Sequence, residues 1–383
     1  MKHPRTATHL VLSALFLLPV ASQAGQVIAP KLQPLVDHHA LAGAVTLVAD
    51  KDKVLDIESV GFADVAAKKA MTEDALFWIA SMSKPMTAAA FMILVDEGKV
   101  SVDDAVEKYL PEFKGQMVTT DKDKADAPLE KPVHPITIKN ILSHTSGMAF
   151  KSATETPTLD LFPLAERVKS YAKMPLQFQP DSKYQYANAG INTAGRIIEV
   201  LSGMSYEDFM LKRLFEPLGM KDTTFWPDEA QISRIAKSYK ANKDKTDLEE
   251  TTVGQLKYPL NDRTRQPMPA GGLFSTAIDT AKFCQMLLNG GTFKGKRIIS
   301  EASVKQMTSR QTPAALPQSY GFGFSTGGDT YGHGGAYSTN MSVDPKRGLI
   351  TVFMVQNAGW RDEGKQAQPI FTKAAQEAFA PKP

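Results

Sequence analysis

The sequence predicts an α+β chain: one largely antiparallel β-sheet flanked by helices, with a mainly α-helical lobe inserted between its two halves. Two observations carry this. Strand-like patterns occur at both ends of the chain, and helical periods dominate its middle. The economical packing joins the terminal strands in one sheet, covers its faces with helices and leaves a cleft beside the lobe. A length of 383 residues accommodates two domains, or one large domain with an inserted lobe. The expected division is a signal peptide over 1–24 and one domain over 25–383. Within that domain an α/β lobe takes about 25–80 and 270–383, and a helical lobe takes about 81–269.

Lys2 and Arg5 precede an apolar run from Leu10 to Ala21, and Ser22-Gln23-Ala24 supplies small residues for a peptidase. This is the pattern of a cleavable secretion signal, cut after Ala24, so the mature chain is expected to be exported, periplasmic or secreted. No other segment is long and apolar enough to cross a membrane, so no stable insertion is expected after cleavage. Cys284 is the only cysteine, which excludes an internal disulfide, and its apolar neighbours mark it as a core residue. Lys and Arg total 44 against 41 Asp and Glu, Lys2 and Arg5 among the 44, so charge gives no case for a nucleic-acid partner.

In chain order, Pro30–His39 reads as a short helix. Ala44–Val48 and Val54–Ile57 flank Asp50-Lys51-Asp52 as a β-hairpin, closed by Gly61–Asp64. A helix opening at Ser81 ends near Gly98, a left-handed cap. Residues 114–135, polar and rich in proline at their end, read as a long surface loop. Ile136–Leu142 is a short helix ending in Ser143-His144-Thr145-Ser146-Gly147, where His144 reads as a hydrogen-bonding strut before it reads as a catalyst. Ile191, Ala194, Ile197, Ile198 and Leu201 give a helical period stopped by Gly203, with Tyr186 and Asn188 in the loop before it. Residues 231–262 show little periodicity and are expected to be loops. Thr276, with Asp279 three residues on, caps a helix that Asn289-Gly290-Gly291 stops. Tyr320–Phe324, Ala336–Val343 and Leu349–Val355 read as strands, and Thr372–Ala380 as the last helix.

The chemistry begins at Ser81-Met82-Ser83-Lys84. A serine and a lysine three residues apart share one helix face. Pro85 is tolerated only in a first turn, so Ser81 sits at the positive end of the helix dipole, which favours an oxyanion. A desolvated lysine loses affinity for its proton and can take part in proton transfer. The spacing alone is weak, because it recurs at Ser170-Tyr171-Ala172-Lys173 and most such pairs are solvated helix faces. Ser81 differs in following the apolar run Phe77–Ala80. A second stretch is Tyr186-Ala187-Asn188, the only Tyr-x-Asn in the chain. A third is His333-Gly334-Gly335-Ala336. Its glycines let backbone approach a ligand, and an exposed amide there can pair with the Ser81 amide as an oxyanion hole. A glycine-rich hairpin turn with an incidental histidine is the plain alternative.

Taken together and in this order, the three stretches resemble the serine hydrolases of the penicillin-recognising superfamily: class C β-lactamases, D,D-peptidases, D-aminopeptidases and related (family VIII) carboxylesterases. Leu142–Gly147, Ala270-Gly271-Gly272-Leu273 and Met286–Gly291 also look like this family, and the resemblance spans roughly 30–380. No Gly-x-Ser-x-Gly elbow occurs, which argues against an α/β-hydrolase.

The resemblance implies a β-lactamase/transpeptidase-like fold and a role for each residue. Ser81 attacks an acyl carbonyl, and Lys84 keeps the serine–tyrosine pair poised. Tyr186, its phenol lowered by the cation, exchanges the proton; which of Lys84 and Tyr186 is the main base stays open. Asn188 holds substrate or orients Lys84. His333, Gly334 and Gly335 line the substrate site, and the Ser81 and Ala336 amides form the oxyanion hole. No metal or organic cofactor is implied. Class C β-lactamases usually carry Lys-Thr-Gly in the third motif, and a histidine anchors a β-lactam carboxylate less strongly than a lysine. The favoured reading is therefore a carboxylesterase acting on a small-molecule ester, with an apolar wall near Phe77-Trp78. The alternatives are a β-lactamase or D-Ala-D-Ala carboxypeptidase/D-aminopeptidase taking a β-lactam or D-amino-acid peptide, or a non-catalytic peptidoglycan- or partner-binding homologue. Three intact motifs speak against the last.

Overall fold

A computed structural model describes residues 26–380; the expected signal peptide lies outside the described residues. Seven strands form the main sheet. Three come from the N-terminal part: β1 Gly43–Ala49, β2 Val54–Asp64 and β3 Lys69–Ala70. Four come from the C-terminal part: β4 Ser325–Gly327, β5 Thr330–Gly334, β6 Asn340–Asp344 and β7 Leu349–Met354. Their order is β4-β5-β6-β7-β1-β2-β3, with every pairing antiparallel. The β1–β2 turn is set where the sequence placed it. The Asp50 carboxylate accepts from the Asp52 and Lys53 amides at 2.8 and 2.7 Å.

Central β1 is buried along its whole length, because both faces of the sheet are covered. Ala44 and Val48 pack on one side, with helices α1 Ala29–Asp37 and α7 Ala367–Phe379. Val45, Leu47 and Ala49 pack on the other, joined by Ile350, Val352 and Met354 of β7 and by α6 Ala277–Leu288. Cys284 of α6 lies in this core, and burial pushes its thiol up to about 12. The helices of the intervening sequence are α2 Ser83–Asp96, α3 Ile138–Ser143, α4 Leu164–Ala172 and α5 Asn188–Ser202. Every residue of α2 from Ser83 to Leu94 is buried, the state of a helix apolar on all sides. It packs on α5, where Gly190 meets the backbone of α3: a Cβ there would stand 2.6 Å from the Ile141 carbonyl oxygen.

Two readings need correction. Residues 231–262 are not all loop. Ser238–Ala241 and Leu248–Thr251 form a hairpin, joined in parallel by Asn357–Gly359 from more than a hundred residues on, a partner no local pattern reveals. Tyr320–Phe324 is not a strand. Gly323 takes φ +77°, and a Cβ on it would come within 2.9 Å of the Lys84 carbonyl oxygen, so the segment is a close crossing over α2. Ser170 lies in the last turn of helix α4, which runs out into a loop; its hydroxyl bonds Ser152 and Arg167, and Lys173 is exposed.

Candidate active site

The nucleophile segment is built by a short β-pair and one strained residue. Phe77–Trp78 pairs with Phe274–Ser275, and the Ile79 amide then donates to the Leu273 carbonyl at 3.0 Å. Ala80 follows with φ +46°, which an L-residue rarely adopts. A single 3₁₀ turn, Ala80–Met82, carries Ser81 and feeds α2. Ser81 is thus in the first turn, where a backbone N–H has no partner within the helix. Lys84 follows on α2 and is fully buried.

The Lys84 ammonium nitrogen has three neighbours: Ser81 Oγ at 3.1 Å, Asn188 Oδ1 at 2.9 Å and the Ala270 carbonyl oxygen at 2.7 Å. None is an anion. Burial holds Lys84 well below the ordinary lysine value. Tyr186 stands on the opposite side, its ring centroid 4.6 Å from Lys84 Nζ, and lines the same cavity as Ser81. The expected lowering of Tyr186 by the cation is reversed: burial pushes the phenol up, outweighing the opposing influence of the Ser81 hydroxyl.

Asn188 is the first residue of α5. Its amide and that of Ala189 donate to the Phe150 carbonyl at 3.1 and 3.2 Å. Its Oδ1 holds Lys84, while its Nδ2 makes no hydrogen bond among the described residues. His144 terminates α3 in the left-handed conformation, φ +62°. Its Nδ1 accepts from the Ala187 amide at 3.3 Å and its ring packs on Tyr186, with centroids 4.5 Å apart. It braces the Tyr-x-Asn loop.

His333 is the penultimate residue of β5, beside the Ser81 turn. Its Nδ1 lies 2.7 Å from the Gly334 carbonyl oxygen, an obligate acceptor, so Nδ1 carries the proton. Nε2 is then the acceptor, and Tyr320 donates to it at 3.0 Å. Burial, with a smaller contribution from Lys84, brings His333 down to about 3. Gly335 packs against the nucleophile segment: a Cβ there would lie 2.2 Å from Thr339 Oγ1 and 2.5 Å from the Ile79 carbonyl oxygen. The next residue, Ala336, is exposed, and its N–H has no partner among the described residues.

Ser81, Tyr186, Asn188, His333, Gly334, Gly335 and Ala336 all line one cavity of about 410 Å³. Trp78, Phe150, Leu159 and Met268 supply its apolar wall and Gln255 a polar edge. The structure therefore brings together every candidate site residue except Lys84 at the cavity surface, and Lys84 lies directly behind Ser81. The sequence reading assigned no role to Tyr320, to the Ala270 carbonyl, or to Phe150, Leu159 and Met268. Tyr320 had a signal, as the first residue of a Tyr-Gly-Phe-Gly-Phe stretch; the cavity wall had none. Among the described residues no group of three or more His, Cys, Asp and Glu is placed to hold a metal ion.

A buried amine behind a helix-mouth serine, a phenol across from it and two backbone amides at one cavity wall form a nucleophilic acyl-transfer arrangement. Comparison with known proteins meets this geometry. A family model described as Beta-lactamase matches residues 28–374. Protein Rv1367c of Mycobacterium tuberculosis (strain ATCC 25618 / H37Rv) is 31% identical, over 85% of this chain and 88% of its own. Penicillin-binding protein 4 of Amycolatopsis lactamdurans is 31% identical, over 83% and 81%. Among solved structures, EstCE1, described as a hydrolase with promiscuous acyltransferase activity, superposes with a TM-score of 0.76 at 22% identity, covering 91% of this chain and 97% of its own. That likeness is one of fold, and with the sequence matches it places the chain in the beta-lactamase family, whose members are serine hydrolases.

Proposed function

We propose that this protein is an exported serine hydrolase that cleaves neutral carboxylic esters through an acyl-enzyme on Ser81. The observation that carries the reading is the cavity's lack of charge: among the described residues its lining holds no Lys, Arg, Asp or Glu, and both nitrogens of His333 are already engaged. A substrate carboxylate has no cation to meet there, whereas an uncharged ester meets apolar wall and two free amides. Export rests on the N-terminal pattern of residues 1–24.

A proton inventory supports Lys84 as the base. A neutral amine has two N–H groups and one lone pair. Asn188 Oδ1 and the Ala270 carbonyl can only accept, so they take the two N–H groups. The lone pair is left for the one neighbour able to donate, Ser81 Oγ. Lys84 accepts the serine proton as Oγ attacks the acyl carbon, and the resulting ammonium donates to all three neighbours. The carbonyl oxygen, becoming an oxyanion, is bound by the Ser81 and Ala336 amides. Tyr186, held protonated by burial, donates to the departing alkoxide and recovers a proton from the Lys84 side. Water then attacks the acyl-enzyme, with the same groups running in reverse.

A second reading, hydrolysis of an amide such as a β-lactam or a D-amino-acid peptide, is favoured by the Asn188 Nδ2, which is unengaged at the cavity wall and suited to an amide carbonyl. Hydrolysis of p-nitrophenyl butyrate, a chromogenic cephalosporin and a D-Ala-D-Ala peptide, each with Ser81→Ala in parallel, separates the readings. Ester cleavage that is lost in the variant supports the first. A cephalosporin or peptide turned over faster than the ester replaces it with the second.

A further inference from the structure

We propose that Asn192 is a positioning residue for the Lys84 amine, acting through the Ala270 peptide. The inference rests on Lys84 serving as the base. Asn188 and Asn192 stand one turn apart on α5, on one face. Asn188 holds Lys84 directly. Asn192 holds it at one remove: its Oδ1 accepts the Ala270 amide at 3.1 Å, and the carbonyl of that same residue accepts Lys84 at 2.7 Å. Both acceptors of the lysine are thus set by adjacent turns of one helix.

The far end of Asn192 fixes which way it faces. Its Nδ2 donates to the Tyr171 hydroxyl at 2.9 Å and to Glu155 Oε1 at 3.3 Å, and Tyr171 donates to the same carboxylate at 2.8 Å. An amide with a donor before it and acceptors behind it cannot flip without breaking both sets of bonds. Asn192 and Glu155 are fully buried, so no water substitutes for either. The Ala270 region is held from other directions too: Trp78 Nε1 donates to the Gly271 carbonyl and Thr87 to the Pro269 carbonyl, each at 2.7 Å. Asn192 supplies the bond on the Ala270 nitrogen. Without it the peptide bearing the Ala270 carbonyl keeps the Gly271 amide's bond to the Met268 carbonyl at 3.1 Å but loses its anchor on the Ala270 side, and the aim of the Lys84 lone pair at Ser81 loosens.

The test compares Asn192→Leu, an Asn192→Asp/Glu155→Gln pair, Glu155→Gln and Lys84→Met with wild type. The readouts are kcat and KM for p-nitrophenyl butyrate from pH 5 to 10, and the unfolding temperature. Asn192→Leu matches the side chain in size and removes the acceptor. It is expected to lower kcat about 10- to 100-fold with KM little changed. The acid limb of kcat/KM is expected to move to lower pH, because an acceptor that favours the ammonium form is lost. Asn192→Asp keeps the acceptor but turns its second oxygen on the Glu155 carboxylate, so it is combined with Glu155→Gln, whose amide can donate to it, and the pair restores most of kcat. Glu155→Gln alters the support but not the acceptor, and leaves the limb in place. A folded Asn192→Leu with wild-type kcat and limb overturns the inference, as does an Asn192→Asp/Glu155→Gln pair no better than Asn192→Leu. If Asn192→Leu does not fold, Asn192→Ala takes its place with the same expectations. Lys84→Met separates the two levels: activity retained in it removes the base assignment and this inference together. Activity lost in it, beside a wild-type-like Asn192→Leu, removes the inference alone.

Discussion

Gly335→Ala is a small change whose effect can be worked from the fold. The added methyl would stand 2.5 Å from the Ile79 carbonyl oxygen and 2.2 Å from Thr339 Oγ1. Thr339 is a side chain able to turn aside, although its hydroxyl bonds Ile79 at 3.4 Å. The Ile79 carbonyl is backbone, two residues before the nucleophile, and cannot. To reach an ordinary contact of about 3.4 Å, the Gly335 segment must withdraw by about 0.9 Å. An oxyanion-hole donor works at about 2.7–3.1 Å, so a displacement of that size takes the Ala336 N–H out of range. Loss of one such donor costs about 10²–10³ in kcat. The expected result is a fall of that order on p-nitrophenyl butyrate with KM changed less than threefold. Circular dichroism would check that the sheet still melts cooperatively. A folded Gly335→Ala with kcat within threefold of wild type would refute the oxyanion assignment of Ala336, because the methyl cannot be accommodated without moving that amide.

Three further outcomes are expected. Lys84 is held below its unfolded value of 10.5 by burial, so between its native value and 10.5 the unfolded chain binds a proton the native chain does not. That difference disfavours folding at neutral pH and fades as pH rises toward 10.5. Lys84→Met should therefore melt at a higher temperature than wild type at pH 7, with the gap closing by pH 10, and a gap independent of pH would contradict the buried amine. His333→Lys places a charge where a neutral ring now stands. A charged hydrogen bond contributes about 1.5–3 kcal/mol, so the kcat/KM ratio of cephalosporin to ester should rise roughly tenfold or more. An unchanged ratio would show that His333 does not set specificity. Asp160 and Arg265 form a buried ion pair at 2.8 Å that ties the loop bearing Leu159 to the one bearing Met268. Asp160→Ala strands the guanidinium, at a cost of about 3–5 kcal/mol in denaturant unfolding. A change below 1 kcal/mol would mean that the loops are held otherwise.

How far the sequence could be read depended on whether a feature was local. The Asp50 turn, the Thr276 cap, the Gly203 stop and the periodic face of α5 each depend on residues within one turn of each other, and all stand where the pattern placed them. The two-ended sheet was legible because strand patterns occur only near the termini. The hairpin at 238–251 was not, because its third strand lies at Asn357–Gly359 and its own residues are largely polar. Tyr320–Phe324 misled for a related reason: alternating aromatic and glycine residues imitate a strand, yet here the glycines serve contact with α2. In the site, the motif residues were legible and the direction of the Tyr186 shift was not. That shift depends on how completely the third dimension excludes water from the phenol, which spacing does not record.

Ala80 shows why the motifs could name the site without explaining it. A left-handed alanine costs about 1–2 kcal/mol, and such strain survives only where neighbours over-determine it. Four hydrogen bonds do so. Leu273 accepts the Ile79 amide, Ser83 Oγ donates to the Ala80 carbonyl at 2.7 Å, Trp78 Nε1 donates to Gly271, and Gln356 Nε2 donates to the Trp78 carbonyl at 2.9 Å. Three of these reach from Leu273, Gly271 and Gln356, beyond the helical middle of the sequence. The nucleophile's angle is therefore set by the closing of the sheet from both ends of the chain. Ser81 acquires its position when the C-terminal segments arrive, and not from the helix that carries it. Gln356, which does not line the cavity, acts on the chemistry by this route: it holds the strand that forces Ala80 to turn.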